Sequence, residues 1–433
     1  MEIRNICVIG MWHLGCVTAA CLAHLGFRIE CFDFDRDVLD NLRRGKMPVH
    51  EPGLDELFDK GVSGGMIHFT SDIKGTIPRS DAVYITFDTP TDEQNNVNLR
   101  IIHKTIETIS PLLAKDAIIL ISSQIPVGTS DRILERLRMA GKSNELCYIP
   151  ENLQLGNALN RFMKPERIIF GLSSSEIRKC VEKIFSGIKT RYFFTDLRSA
   201  EMSKHVLNSY LATMISFSGE ISDLCEKVGA NAIDVMKALK SERRVGEQAP
   251  ITPGLGFGGG TLARDVQILR KIGNEQGIGT VLLDAVIYDN DQRMRYVYEK
   301  LLSILGSLEK KKIAFLGLTY KAGTSTLRKS LSLQAIDQIR TKNVSIKAYD
   351  PMIKEPIEDY PNVKICKTVD EAVKDADAVV ITTDWDEFKK LDYIKVTRFM
   401  KTPVIIDTKN MLNRRLFKNT NIKYYGVGVS CGK

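Results

Sequence analysis

The chain has 433 residues, 43% of them apolar and 26% charged, which is a length for two or three domains and the composition of a soluble globular protein. Its 61 basic residues against 53 acidic ones leave a formal charge of +8, spread in clusters no longer than Lys310-Lys311-Lys312. Nucleic-acid binding therefore gains little support, and an anionic small substrate fits as well. Nine cysteines, at 7, 16, 21, 31, 147, 180, 225, 366 and 431, include no CxxC pair, so free buried thiols in a reducing cytoplasm are expected, with no metal site.

In chain order, Ile3 to Ile9 reads as a strand ending at Gly10, Leu14 to Leu25 as a helix, and Arg28 to Phe32 as a strand ending at Asp33. The stretch from Ile6 to Phe27 carries no Asp, Glu, Lys or Arg. Gly10, His13, Gly15 and His24 interrupt it and no basic leader precedes it, so it reads as buried strand and helix and not as a membrane span. In such a β-turn-α-β unit the helix N-terminus takes a pyrophosphate, here through Gly10, Trp12, His13, Leu14 and Gly15. Asp33 is placed for an adenosine ribose, and its charge opposes the extra phosphate of NADP, so NAD is the expected cofactor. Trp12 stands where the second glycine of GxGxxG belongs.

Further strands are read at Ala82 to Phe87, Ala117 to Ser122 and Glu145 to Ile149. At their C-terminal ends lie Thr89-Pro90, Ser123 through Gly128 with Gln124, and Pro150-Glu151, the edge where a parallel sheet binds ligands. No proline occurs between Pro165 and Pro250, and Leu207, Leu211, Met214, Phe217, Ile221, Leu224 and Val228 recur at helical steps. That helix shows more apolar face than one small domain can bury, which predicts a homodimer. Lys204 and Asn208, four apart, share one of its faces. Gly254 to Asp265, GLGFGGGTLARD, has the glycine content of a loop that a bulky ligand approaches closely, and a helix is expected to open at Arg264-Asp265. A second α/β half follows, with strands at Ile313 to Leu316, Val344 to Tyr349, Ala378 to Thr382 and Val404 to Ile406.

These motifs resemble, in order and over essentially the whole length, those of the UDP-glucose/GDP-mannose dehydrogenase family. The matching strings are Glu51-Pro52-Gly53-Leu54, Ile125 to Thr129, Pro150-Glu151 with Gly156, and Ala200-Glu201 with Lys204 and Asn208. Gly317-Leu318, Tyr320-Lys321, Thr324, Arg328 and Ser330 follow, then Tyr349-Asp350-Pro351, Asp384 to Phe388 and Asp407 to Asn410. The resemblance implies two Rossmann-like doubly wound domains joined by a helical one: residues 1–195 binding NAD, 196–305 dimerising, and 306–433 binding a nucleotide sugar, with UDP the expected base. It implies a soluble cytoplasmic enzyme with neither nucleic-acid nor membrane partners, whose active site lies in the cleft between domains. It also implies Thr89, Pro90, Gln124 and Arg328 as cofactor residues. Arg244, Phe257, Gly258, Gly259, Tyr320, Lys321 and Lys409, with Lys204 and Asn208, would contact the substrate.

Such enzymes oxidise a primary alcohol twice, through a cysteine-bound thioester. Here Lys204, Asn208, Asp265 and Glu151 match the family's catalytic positions, but Thr261 stands at the cysteine. Gly260, Leu262, Ala263, Arg264, Leu155 and Gln124 also depart from the pattern. Three readings follow: a single two-electron alcohol oxidation, full oxidation to a uronate, and a catalytically silent nucleotide-sugar or NAD binding protein.

Overall fold

The computed structural model describes residues 3–89, 97–151 and 153–429. It divides into two compact units, Met1–Val206 and Leu207–Lys433.

The first unit is built on an eight-stranded sheet: β1 Asn5–Ile9, β2 Arg28–Phe32, β3 Ile67–Phe69, β4 Ala82–Ile85, β5 Ile118–Ile121, β6 Leu146–Tyr148, β7 Arg167–Leu172 and β8 Arg191–Asp196. The spatial order is β3-β2-β1-β4-β5-β6-β7-β8, and every pairing is parallel except β6 with β7. Residues 6–9 of β1, and all of β4 and β5, are unbroken apolar runs because helices cover both faces of the sheet, and Ile6, Val83 and Ile119 are fully buried. The helix His13–His24 packs on one face, and its Cys16, Val17 and Ala20 join the core. Among the described residues no helix is long and apolar enough to cross a membrane. Of the eight described cysteines, seven are buried and Cys180 is half-buried, all as free thiols.

The long helix spans Leu197–Val228, starting ten residues before the apolar repeat suggests. Asp196 caps it: its carboxylate accepts the Ser199 N–H at 2.9 Å, which satisfies a donor that the first turn leaves without a helical partner. Buried Glu201, on its first turns, accepts from the N–H groups of Gly128 and Ser130 and so ties the helix to the turn after β5.

In the second unit a six-stranded, all-parallel sheet follows the helical segment. Its strands are β9 Lys312–Leu316, β10 Ser345–Tyr349, β11 Val363–Ile365, β12 Ala378–Ile381, β13 Val404–Asp407 and β14 Lys423–Gly426, in the order β11-β10-β9-β12-β13-β14. The two sheets repeat one hydrogen-bond plan. In the first, Gly10 N–H donates to Phe32 O at 2.9 Å, Asp33 accepts from Met11 N–H at 2.7 Å, and the Thr86 hydroxyl donates to Gly10 O at 2.9 Å. In the second, Gly317 N–H donates to Tyr349 O at 2.8 Å, Asp350 accepts from Leu318 N–H at 2.8 Å, and the Thr382 hydroxyl donates to Gly317 O at 2.7 Å. The acids differ in access. Asp33 is half-exposed, whereas Asp350 is fully buried and also holds the Thr319 hydroxyl and the Trp385 indole N–H.

Candidate active site

In the first unit, Gly10 has φ +100°, and a Cβ there would lie 2.8 Å from the Phe87 ring. A Cβ on Gly15 would come within 1.8 Å of Gly10 O, so both glycines are required for the turn to close. Trp12, at φ −89°, needs no glycine conformation, and its indole is 44% exposed. The helix begins at His13 with neither a side-chain cap nor an acid in its first turn, leaving N–H groups and a positive dipole end for an anion. Each oxygen of Asp33 accepts one backbone N–H, from Met11 at 2.7 Å and Asp35 at 3.0 Å. A carboxylate oxygen has two lone pairs, so both can still take ribose hydroxyls. These residues fit NAD. The His13 ring is turned onto Glu51, so what His13 offers the cofactor is its backbone N–H. Buried Thr89 donates its hydroxyl to Gln124 O at 2.7 Å, joining the loops after β4 and β5; Pro90 lies outside the described residues.

Glu151 follows β6. Lys204, buried on the long helix, donates from Nζ to Glu151 O at 2.5 Å and lies 3.6 Å from Glu151 Oε1. Asn208, one turn on, is also buried.

In the second unit Asn208 donates from Nδ2 to Oδ2 of Asp265, a fully buried carboxylate with the Arg264 Nε at 3.9 Å from its other oxygen. The helix carrying Asp265 runs Thr261–Glu275, so it opens three residues before Arg264, with Gly260 as its N-cap and Thr261 exposed at its first turn. The glycine loop before it is tethered throughout. Arg293 Nη2 donates to Gly254 O at 2.6 Å, Asn290 Oδ1 accepts from Phe257 N–H at 2.8 Å, and Gly259 N–H donates to Lys329 O at 2.9 Å. A Cβ on Gly258 would sit 2.9 Å from Lys329 O and one on Gly256 2.5 Å from Asn290 Oδ1. Glycine thus serves close packing here, where a side chain has no room.

Tyr320 lies along this loop, its ring 3.1 Å from the Cβ position of Gly259, and burial pushes its phenol up. Lys321 sits over that ring at 5.9 Å, and the Arg328 guanidinium lies beside Gly260. Lys409 is half-buried; loss of water pushes its ammonium below the ordinary lysine range, and Asp384 and Asp407 oppose this. The structure does not gather Arg244 with the loop's tethers: it is exposed and pairs with Glu242 in its own turn at 3.1 Å.

Asn290 and Arg293 are the site-forming residues that sequence reasoning missed. Both are buried on the helix Val281–Arg293, and a polar residue in a helical repeat reads by default as solvated. No described cysteine takes the place of Thr261. Burial pushes the thiols of Cys16 and Cys21 up to about 12, and those of Cys7, Cys31, Cys147 and Cys366 upward as well.

A parallel sheet with an open helix N-terminus and a ribose-ready acid, and a second sheet of the same plan with a closed acid, define a dinucleotide-dependent oxidoreductase with a separate mononucleotide-type domain. Profiles described as the NAD binding, central and UDP binding domains of the UDP-glucose/GDP-mannose dehydrogenase family match residues 4–189, 198–292 and 314–414. The UDP-glucose 6-dehydrogenase of Rickettsia conorii is 32% identical over 98% of this chain and 99% of its own. The UDP-glucose 6-dehydrogenase TuaD of Bacillus subtilis is 32% identical over 98% and 93%. The UDP-glucose dehydrogenase structure from Pyrobaculum islandicum shares the fold, with a TM-score of 0.88 at 24% identity over 99% and 98% of the two chains. The chain belongs to the UDP-glucose/GDP-mannose dehydrogenase family. It is an NAD-dependent nucleotide-sugar dehydrogenase, an oxidoreductase acting on CH–OH.

Proposed function

We propose that the chain oxidises an alcohol carbon of a UDP-linked sugar by a single two-electron step and releases an aldehyde, its hydrate or a ketone. The observation that carries this is Thr261, an exposed hydroxyl at the first residue of its helix where the family's thioester chemistry needs a thiolate. A threonine hydroxyl ionises far less readily than a thiol and lacks that nucleophilicity. NAD, when bound, supplies the hydride acceptor.

The remaining residues suit alkoxide formation. The Lys204 ammonium, held by Glu151, stabilises the developing negative charge in a buried setting where charge stabilisation is strong. Asn208 gives one amide hydrogen to Asp265 and offers the other to the alkoxide. Asp265 takes the alcohol proton through a water, and Glu151 positions sugar or water. Tyr320, Lys321 and Lys409, with the backbone of Phe257 to Gly259, hold the nucleotide sugar. Gly10 to Gly15, Asp33, Thr89 and Gln124 hold NAD. The UDP assignment draws on the relatives named above.

The active form is proposed to be a homodimer through the long helix. Its inner face is small and polar, with Ser209, Ser216, Ser218 and Ser222 buried. Its outer face carries Val206, Tyr210, Phe217, Leu224 and Val228, between 49% and 77% exposed. Apolar groups at steps of four and seven on an exposed face call for a second helix surface.

NADH absorbance across a panel of UDP- and GDP-sugars tests the reading. Turnover with a UDP-sugar, lost in Lys204→Ala and Asp265→Asn, is expected. Turnover with none of the panel, alongside tight binding of NAD and UDP, would establish the silent binding protein instead.

A further inference from the structure

We propose that Glu51 is a positioning residue that fastens the segment 153–158 to the first turn of the NAD-binding helix, so that one helix end sets both the pyrophosphate site and, through Leu153, the placement of Glu151. The Glu51 side chain is 1% exposed. Its Oε2 accepts from His13 Nε2 at 3.0 Å and from Gly156 N–H at 2.8 Å, and its Oε1 accepts from Ala158 N–H at 2.8 Å. A carboxylate can only accept, so the His13 tautomer that carries the proton on Nε2 is the one held there.

Burying a carboxylate costs free energy that three hydrogen bonds only offset, and an apolar replacement of such a group is often no less stable. Net stability is therefore a poor account of Glu51, and its partners give a better one. His13 is the first residue of the helix His13–His24. Gly156, at φ +82°, and Ala158 end the stretch 153–157, which has no regular structure and leads into the helix Ala158–Met163. Within that stretch Leu153 N–H donates to Glu151 Oε2 at 2.7 Å and Asn157 N–H to Gln154 O at 2.9 Å. Glu51 supplies two anchors from outside it. Glu151 in turn holds Lys204, which completes a continuous path from the helix end to the buried ammonium.

Strand order says which half of the cofactor feels this path. Asp33 ends β2, and the order β2-β1-β4-β5-β6 places the adenosine on the β2 side and the nicotinamide toward the strand ends beyond which segment 153–158 lies. ADP-ribose, which lacks the nicotinamide, engages the helix end and Asp33 but not that segment. The role of Glu151 in chemistry rests on the function proposed above; the effect on NAD against ADP-ribose does not.

Calorimetric titration of Glu51→Gln with NAD and with ADP-ribose tests the inference. An amide presents N–H to at least one of the three donors, so NAD should bind about tenfold more weakly and ADP-ribose by less than about twofold, on the scale of one or two lost hydrogen bonds. Amide exchange at Gly156 and Ala158 should quicken while that of the β1 and β4 amides stays unchanged. His13→Leu, which cuts only the link to the helix, should open the same gap between the two ligands by about threefold and serves if Glu51→Gln fails to fold. Equal weakening of NAD and ADP-ribose in both variants, or no weakening in either, would overturn the proposal. A gap between the ligands with Lys204→Ala still fully active would retain it and reject the catalytic assignment instead.

Discussion

Replacing Asp33 with asparagine keeps the size of the side chain and removes its charge. In the native protein each carboxylate oxygen already accepts one N–H, from Met11 at 2.7 Å or Asp35 at 3.0 Å. Asparagine has one acceptor oxygen, so one of those N–H groups meets an amide NH2 and the glycine turn slackens. The ribose loses a charge-assisted hydrogen bond, which contributes about 1.5–3 kcal/mol. At about 1.4 kcal/mol per tenfold, NAD should bind roughly 10- to 150-fold more weakly. For NADP the balance differs. A phosphate about 4 Å from the native carboxylate is repelled by about 4 kcal/mol per pair of unit charges at a near-surface dielectric, and Asp33→Asn abolishes that repulsion. Native protein should therefore prefer NAD by at least about a hundredfold, and Asp33→Asn should narrow the gap from both sides. Isothermal titration of both cofactors with both proteins reads it. NADP binding to the native protein as tightly as NAD would refute the reasoning.

Three further outcomes are expected. Of the two tryptophans, Trp12 is exposed at the cofactor turn and Trp385 is bonded to Asp350, so NAD should change the intrinsic fluorescence of the native protein but not of Trp12→Phe; an unchanged response in that variant would remove Trp12 from the site. Phe217→Lys should turn a dimer into a monomer by light scattering at micromolar concentration, and a monomeric native protein would count against the long helix as an interface. Lys409 has a folded pKa depressed below its unfolded value, so the unfolded chain binds the extra proton and stability rises with pH between the depressed value and the unfolded one, about 10.4. Lys409→Met should unfold at higher denaturant than native protein at pH 7 yet bind UDP more than about tenfold more weakly, the loss expected for a charge-assisted contact; UDP binding at native strength would exclude Lys409 as a ligand.

The β-turn-α-β start was legible because Ile6 to Ile9 of β1 is an apolar run ending at Gly10, and Ile29, Cys31 and Phe32 of β2 lead to Asp33. Arg28–Phe32 is the strand expected, and the other central strands differ only at their ends. The short strands at the margins were not. β3 and β11 have three residues each, β8 alternates exposed and half-buried residues at the sheet edge, and KYYG of β14 carries no apolar alternation. Periodicity located the long helix but not which face it buries, since inward serines and outward Phe217 and Leu224 invert the usual pattern. Among the candidate catalytic residues, the pairs Lys204–Glu151 in the first unit and Asn208–Asp265 in the second join residues 53 and 57 apart, a distance no local pattern encodes. The motif resemblance gave those four residues their catalytic roles and included Glu51 in a matching string without indicating its partners, and no motif flagged Asn290 or Arg293, whose work is tertiary.

The stoichiometry of NADH formed per UDP-sugar consumed, with mass spectrometry of the product, tests the replacement at Thr261 most directly. Without a thiolate to hold the aldehyde for a second hydride transfer, one NADH should form per sugar and the product should have lost two hydrogens. Two NADH per sugar, with a product that has exchanged two hydrogens for one oxygen as in a uronate, would contradict the account.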